Sequence, residues 1–306
     1  MIDVHAHYFP PAYTEAFARL SGGRKAWPEH PADLTDRVAG LEEAGVERQV
    51  IGLGHNQPYF ADADASAECA RIANDVYAEA IAPHDRLSAF GAVPLPHAAL
   101  AVAEAARCLD DLGFAGIGLG TTAVERTLDD PEFEPLWAEL DRRGTTVFLH
   151  PVGTPDVATT GMDAWMMGPK FGGPHEATIA TARIVLSGLT QRHPNIKFVV
   201  APLGGTLPYL WRRFEEMSEV HIKAGRLSFE VEGDPLDELR RIYYDTSLSD
   251  AAAPFQLVAD LVGIDQIVLG TDDPRVRPVD WIAAIKAIPG VDERVLAETA
   301  RTKLGL

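Results

Sequence analysis

Positive charge and cysteine are what this chain has little of. Lys and Arg number 27 against 45 Asp and Glu, a formal charge of -18. A surface of that sign repels phosphate backbones and anionic lipid, which excludes nucleic acid and membrane surfaces as main partners. The two cysteines, Cys69 and Cys108, both fall in helical patterns, so neither a disulfide framework nor a thiolate metal cluster is expected. Both are read as buried small apolar side chains. No apolar run approaches the roughly 20 residues of a membrane-spanning helix. The first strand pattern starts at residue 2, which leaves no room for a cleaved leader. A cytoplasmic location is the expectation. No glycine-rich phosphate loop comes after that strand, which speaks against an open dinucleotide-binding sheet.

What the chain does contain is apolar residues, 46% of 306, in a repeating grammar. Short apolar runs at Ile2–His7, 49–53, 87–93, 116–119, 146–150, 196–201, 242–245 and 266–270 alternate with helical periodicity. Eight strand-then-helix units predict an α/β fold, a single (β/α)8 TIM barrel covering 1–306. The rhythm breaks between 151 and 175, where glycine and proline accompany Trp165, Met166, Met167 and Phe171. Long irregular connections in compact domains are commonly functional, and the apolar content predicts a lid inserted at about 151–175.

The opening Ile2-Asp3-Val4-His5-Ala6-His7 carries the first chemistry. Strand alternation places Asp3, His5 and His7 on one face and Ile2, Val4 and Ala6 on the other. In barrels of this kind chemistry sits where strands end. The fifth run ends in His150, and the eighth runs into Thr271-Asp272-Asp273. Three imidazoles and the Asp272 carboxylate at one rim suit a single divalent cation with a position left for water or substrate. Zinc is the first expectation and manganese the alternative. Asp273 is expected to cap the next helix.

These residues, with Phe-Leu-His-Pro at 148–151, Gly-Gly-Thr-Leu-Pro at 204–208 and Gly-Thr-Asp-Asp-Pro at 270–274, resemble the amidohydrolase superfamily. The similarity is nearest to its α-amino-β-carboxymuconate-ε-semialdehyde decarboxylase-like branch, which includes resorcylate and carboxyvanillate decarboxylases. The resemblance implies a metal held by His5, His7, His150 and Asp272, and a homodimer. It also implies that Arg213 reaches the substrate carboxylate of a neighbouring subunit, and that Glu176 stands behind the metal or at a helix start.

One position departs from the family. Where relatives carry an acid/base histidine after the sixth strand, this chain has Pro202. Proline can neither take nor give a proton, so water activation loses its usual helper, commonly worth about 10²–10⁴ in rate. His175 is the first substitute and His55 the second; His30, His84, His97, His193 and His221 are assigned no chemistry. The expected function is a metal-dependent lyase that decarboxylates a small carboxylated aromatic or unsaturated acid. In it Asp272 protonates the carbon, Arg213 pairs with a carboxylate, and Trp165, Met166 and Phe171 cover the ring. A hydrolase of a cyclic amide, ester or lactone is the alternative, and a catalytically degenerate binding protein the third reading.

Overall fold

Eight parallel strands run in sequence order around one sheet: Ile2–His7, Arg48–Gly52, Leu87–Ala92, Gly116–Gly120, Thr146–His150, Lys197–Val200, Tyr243–Asp245 and Ile267–Val268. The computed structural model describes residues 1–26, 29–153, 162 and 165–306. Between the eighth strand and the first, Val4 N donates to the Leu269 carbonyl, Asp272 N to His5 and His7 N to Asp273, closing the ring. The architecture is the (β/α)8 barrel expected from the alternation.

Helices pack outside this wall because each carries an apolar stripe that must leave water. Ala98–Asp110, for example, buries Ala101, Ala105 and Cys108, spaced four and three apart. Cys69 and Cys108 are both free and fully buried. The barrel interior is filled by Ile2, Val4, Val50, Phe90, Phe148, Val199 and Val268, with Phe90 and Phe148 stacked at 5.3 Å. The C-terminal turn Thr299–Leu304 plugs the base with Ala300 and Leu304.

Strand one departs from strict alternation. Its register against strand two shifts between Asp3 and Ala6. A bulge adds one residue and turns the later side chains to new directions. Ile2 and Val4 therefore share the interior with His5 and His7, whereas Ala6 packs with the outer core. The expected grouping of Asp3 with the two histidines is corrected accordingly.

Two helices also differ from expectation. The run from Glu176 to Gln191 is broken: one helix spans Gly173–Leu186 and a short turn Leu189–Arg192 comes after it, because Gly188 adopts φ +68°. Asp273 caps no helix among the described residues; Arg277 precedes the helix Pro278–Lys286, and Asp273 pairs with Arg37 instead. Among the described residues no helix is long and apolar enough to cross a membrane.

Candidate metal centre

Four side chains converge where the strands end. The Nε2 atoms of His5 and His7 lie 3.3 Å apart, His7 Nε2 is 2.9 Å from Asp272 Oδ1, and His5 Nε2 is 3.4 Å from that same oxygen. The His150 ring stands nearly perpendicular to both, its centroid 5.1 Å from His5 and 4.9 Å from His7. One donor atom from each residue fits within 4.8 Å of all the others. Ligands about 2.0–2.2 Å from a shared ion are about 3.0–3.5 Å from one another, which is the spacing seen between His5, His7 and Asp272.

The group on the far side of each ring sets its tautomer. His5 Nδ1 donates to Asp245 Oδ2, leaving the Nε2 lone pair aimed inward. His150 Nδ1 donates to the Pro151 carbonyl at 2.6 Å, with the same result. For His7, shape holds the ring. Gly54, at φ +51°, lies so close that a Cβ there would stand 2.0 Å from His7 Cε1. The His7 Nδ1 atom is buried without a hydrogen-bond partner among the described residues.

The charge state suits a cation. Burial, helped by the nearby His7, His5 and His55 rings, pushes His150 well below the usual imidazole range and keeps it neutral. Burial alone would raise the Asp272 carboxyl, but contacts with His7, His5 and Arg275 outweigh it and hold the group ionised, its affinity for protons lowered. Asp272 also sits at φ +62°, a left-handed conformation uncommon outside glycine. Such strain persists only where the surroundings over-determine it.

Sequence reasoning passed over Asp245. It is fully buried at the end of strand seven, and its second oxygen accepts from Ser247 Oγ at 2.8 Å. The strand-end rule that picks out His150 applies equally to Tyr243-Tyr244-Asp245. Asp3, also fully buried, turns away from the cluster toward Thr271 and Gln49. Burial raises its carboxyl to about 6 despite four hydrogen bonds.

The remaining predicted residues are placed unevenly. Glu176 is buried, and its Oε2 accepts from Thr121 Oγ1 and the backbone amides of Val152 and Gly153, pinning the turn after His150. His175 is exposed on the same helix. His55 is brought to the cluster: its ring centroid is 5.9 Å from His7, 6.3 Å from His150 and 5.5 Å from Phe9, while the residue remains exposed. Trp165, Met166 and Phe171 are 84%, 65% and 56% exposed. Residues 154–161 and 163–164 of the expected lid lie outside those described. Arg213 is exposed on the helix Leu207–Lys223.

Some solved structures of similar fold hold manganese. The amidohydrolase family matches residues 2–306. The chain belongs to that family, in its decarboxylase branch. It is 30% identical over 280 residues to the 6-methylsalicylic acid decarboxylase of Penicillium expansum, covering 90% of this chain and 85% of the relative. It is 28% identical over 293 residues to a gamma-resorcylate decarboxylase of Rhizobium sp., covering 89% and 85%. Its fold superposes on a dihydroxybenzoic acid decarboxylase from Polaromonas sp., solved with manganese and 2-nitroresorcinol. There the TM-score is 0.83 and identity 23%, with 100% of this chain and 96% of that chain covered. The four-donor cluster is a divalent-metal site of this family.

Proposed function

We propose that this protein is a metal-dependent decarboxylase of a small carboxylated aromatic acid. The carrying observation is the complete His5-His7-His150-Asp272 cluster in a chain whose curated relatives decarboxylate hydroxylated benzoic acids. Pro202 favours the same reading over hydrolysis, since the group that would activate water is missing while the donors are intact.

A divalent cation in that cluster supplies Lewis-acid polarisation of a substrate oxygen. Three imidazoles and one carboxylate suit zinc; manganese, as in the Polaromonas relative, is the competing occupant. As the carbon–carboxylate bond breaks, its electron pair stays on the ring carbon, carbon dioxide leaves, and a proton must arrive at that carbon. Asp272, within the cluster, is the group that delivers it. Because Asp272 is ionised at rest, the proton first comes from elsewhere. His55, exposed and in ring contact with His7 and His150, is the carrier from solvent. His175, exposed on the helix Gly173–Leu186, is the competing candidate for that step.

The enzyme works as a homodimer. Tyr209, Arg213, Met217 and Val220, spaced four, four and three apart, form one face of the helix Leu207–Lys223; Tyr209, Met217 and Val220 are 77%, 47% and 63% exposed. A strip of that kind usually meets a partner. Pairing there brings Arg213 toward a neighbouring subunit's substrate carboxylate, with Trp165, Met166 and Phe171 closing over the ring once substrate binds. Free, buried cysteines accord with a reducing, cytoplasmic setting.

Carbon dioxide release across a panel of hydroxybenzoates, run in D2O, tests the proposal. Turnover that leaves one deuteron at the carbon that lost its carboxylate is expected. Silence on every acid, with turnover of lactones or cyclic amides, selects hydrolysis instead.

A further inference from the structure

Strand eight ends its regular pairing at Val268, four residues before the ligand Asp272. Beyond that point Asp272, in its left-handed conformation, is joined to strand one by two backbone bonds, from Asp272 N to the His5 carbonyl and from His7 N to the Asp273 carbonyl. Side chains outside the ladder add further ties between the two segments.

Arg37, in the first turn of the helix Thr35–Glu43, stands at that junction with its side chain only 9% exposed. One terminal nitrogen donates to the His7 carbonyl at 2.8 Å. The other lies 2.8 Å from Asp273 Oδ2 and 2.9 Å from Gln49 Oε1. The network continues on the outer side of the wall. Gln49 Nε2 donates to Asp3 Oδ2, Thr271 Oγ1 and N donate to the two Asp3 oxygens, and Asp273 N donates to Thr271 Oγ1. Asp3 and Thr271 are fully buried and Asp273 is 8% exposed. Arg37 thus touches the residue after one ligand and the carbonyl of another, and brings positive charge to a network holding two buried carboxylates.

We propose that Arg37 is a positioning residue: it pins the ends of strands one and eight so that His7 and Asp272 keep ion-binding geometry. This rests on the four-donor metal site proposed above. The planar guanidinium suits the task because it offers several donors in a fixed fork, which a lysine ammonium on a flexible stem does not. Removing it leaves Asp273 as a buried, unpaired carboxylate beside a ligand, a costly arrangement the chain relieves by moving.

The test measures metal affinity by chelator competition and the visible spectrum of the cobalt-substituted full-length protein, for wild type, Arg37→Gln, Arg37→Lys and Asp273→Asn. Groups behind a ligand shell typically change metal affinity about 10–100-fold. Loss within that range and an altered cobalt spectrum are expected for Arg37→Gln, with partial recovery in Arg37→Lys. Asp273→Asn keeps the side-chain shape, removes the charge and carries the test if Arg37→Gln fails to fold; weaker binding is expected there too. Variants binding metal as tightly as wild type, with an unchanged cobalt spectrum, overturn the role of Arg37 and leave the site standing. A wild type that takes up no metal overturns both.

Discussion

Asp245 and His5 are 240 residues apart in the chain and meet at the head of the barrel, the aspartate accepting the proton that His5 carries on Nδ1. This contact sets which nitrogen of His5 faces the cluster. Replacing Asp245 with Asn keeps the size and removes the charge, so the ring is held less firmly and is a weaker donor. A loss of metal affinity of about 10–100-fold, read by chelator competition, is expected. Unchanged affinity would remove Asp245 from the site.

His55 and His175 are separated by one experiment. His55→Gln should lower kcat by about 10²–10⁴ with metal content unchanged, the range that general acid/base help supplies. His175→Ala should stay within about twofold of wild type, as surface substitutions away from a site usually do. Steady-state kinetics beside elemental analysis decides it. The reverse pattern would return the proton path to His175.

His30 makes stability fall in acid. Its ring stacks on Phe9, and Nδ1 accepts the Phe9 amide proton at 3.0 Å, a contact only the unprotonated nitrogen can make. Burial, with Arg37, His7 and His55 nearby, lowers it to about 4. The unfolded chain, with an imidazole near 6.5, binds the proton first, so this contribution is full above about 6.5 and is lost as pH drops toward 4. Stabilities from denaturant titration at pH 7 and pH 5 should differ by on the order of 1 kcal/mol from this residue, after allowance for its partial contact with water. A His30 C2-proton titrating near 6.5 in the folded protein would contradict it.

The exposed face of Leu207–Lys223 gives a test of assembly. Tyr209→Glu with Val220→Glu places charge in the middle of the strip, where a like pair across a twofold contact would repel. Light scattering should find dimers for wild type and monomers for the double variant. A monomeric wild type ends the dimer proposal.

Much of the barrel was legible because strand and helix periods are local properties. Leu87–Ala92, Thr146–His150 and the helix Leu207–Lys223 appear where the apolar spacing puts them. The ligands were legible because His150 terminates a run and Asp272 comes soon after one. Alternation misled at strand one, since a bulge leaves no mark in residue type, and it put Asp3 among the wrong neighbours. Asp273 looked like a cap because an aspartate before a proline-led helix often is one. Its partner Arg37 lies 236 positions earlier, and nothing local announces the pairing.

By itself the sequence determined the kinds of donor and the ends of the strands that carry them. These depend on residue identity and short-range spacing. Only the folded chain decided which groups stand behind the donors and which histidine comes near them, because closing a ring of eight strands brings together residues such as Asp3 and Thr271, or His5 and Asp245, whose approach depends on every element between them.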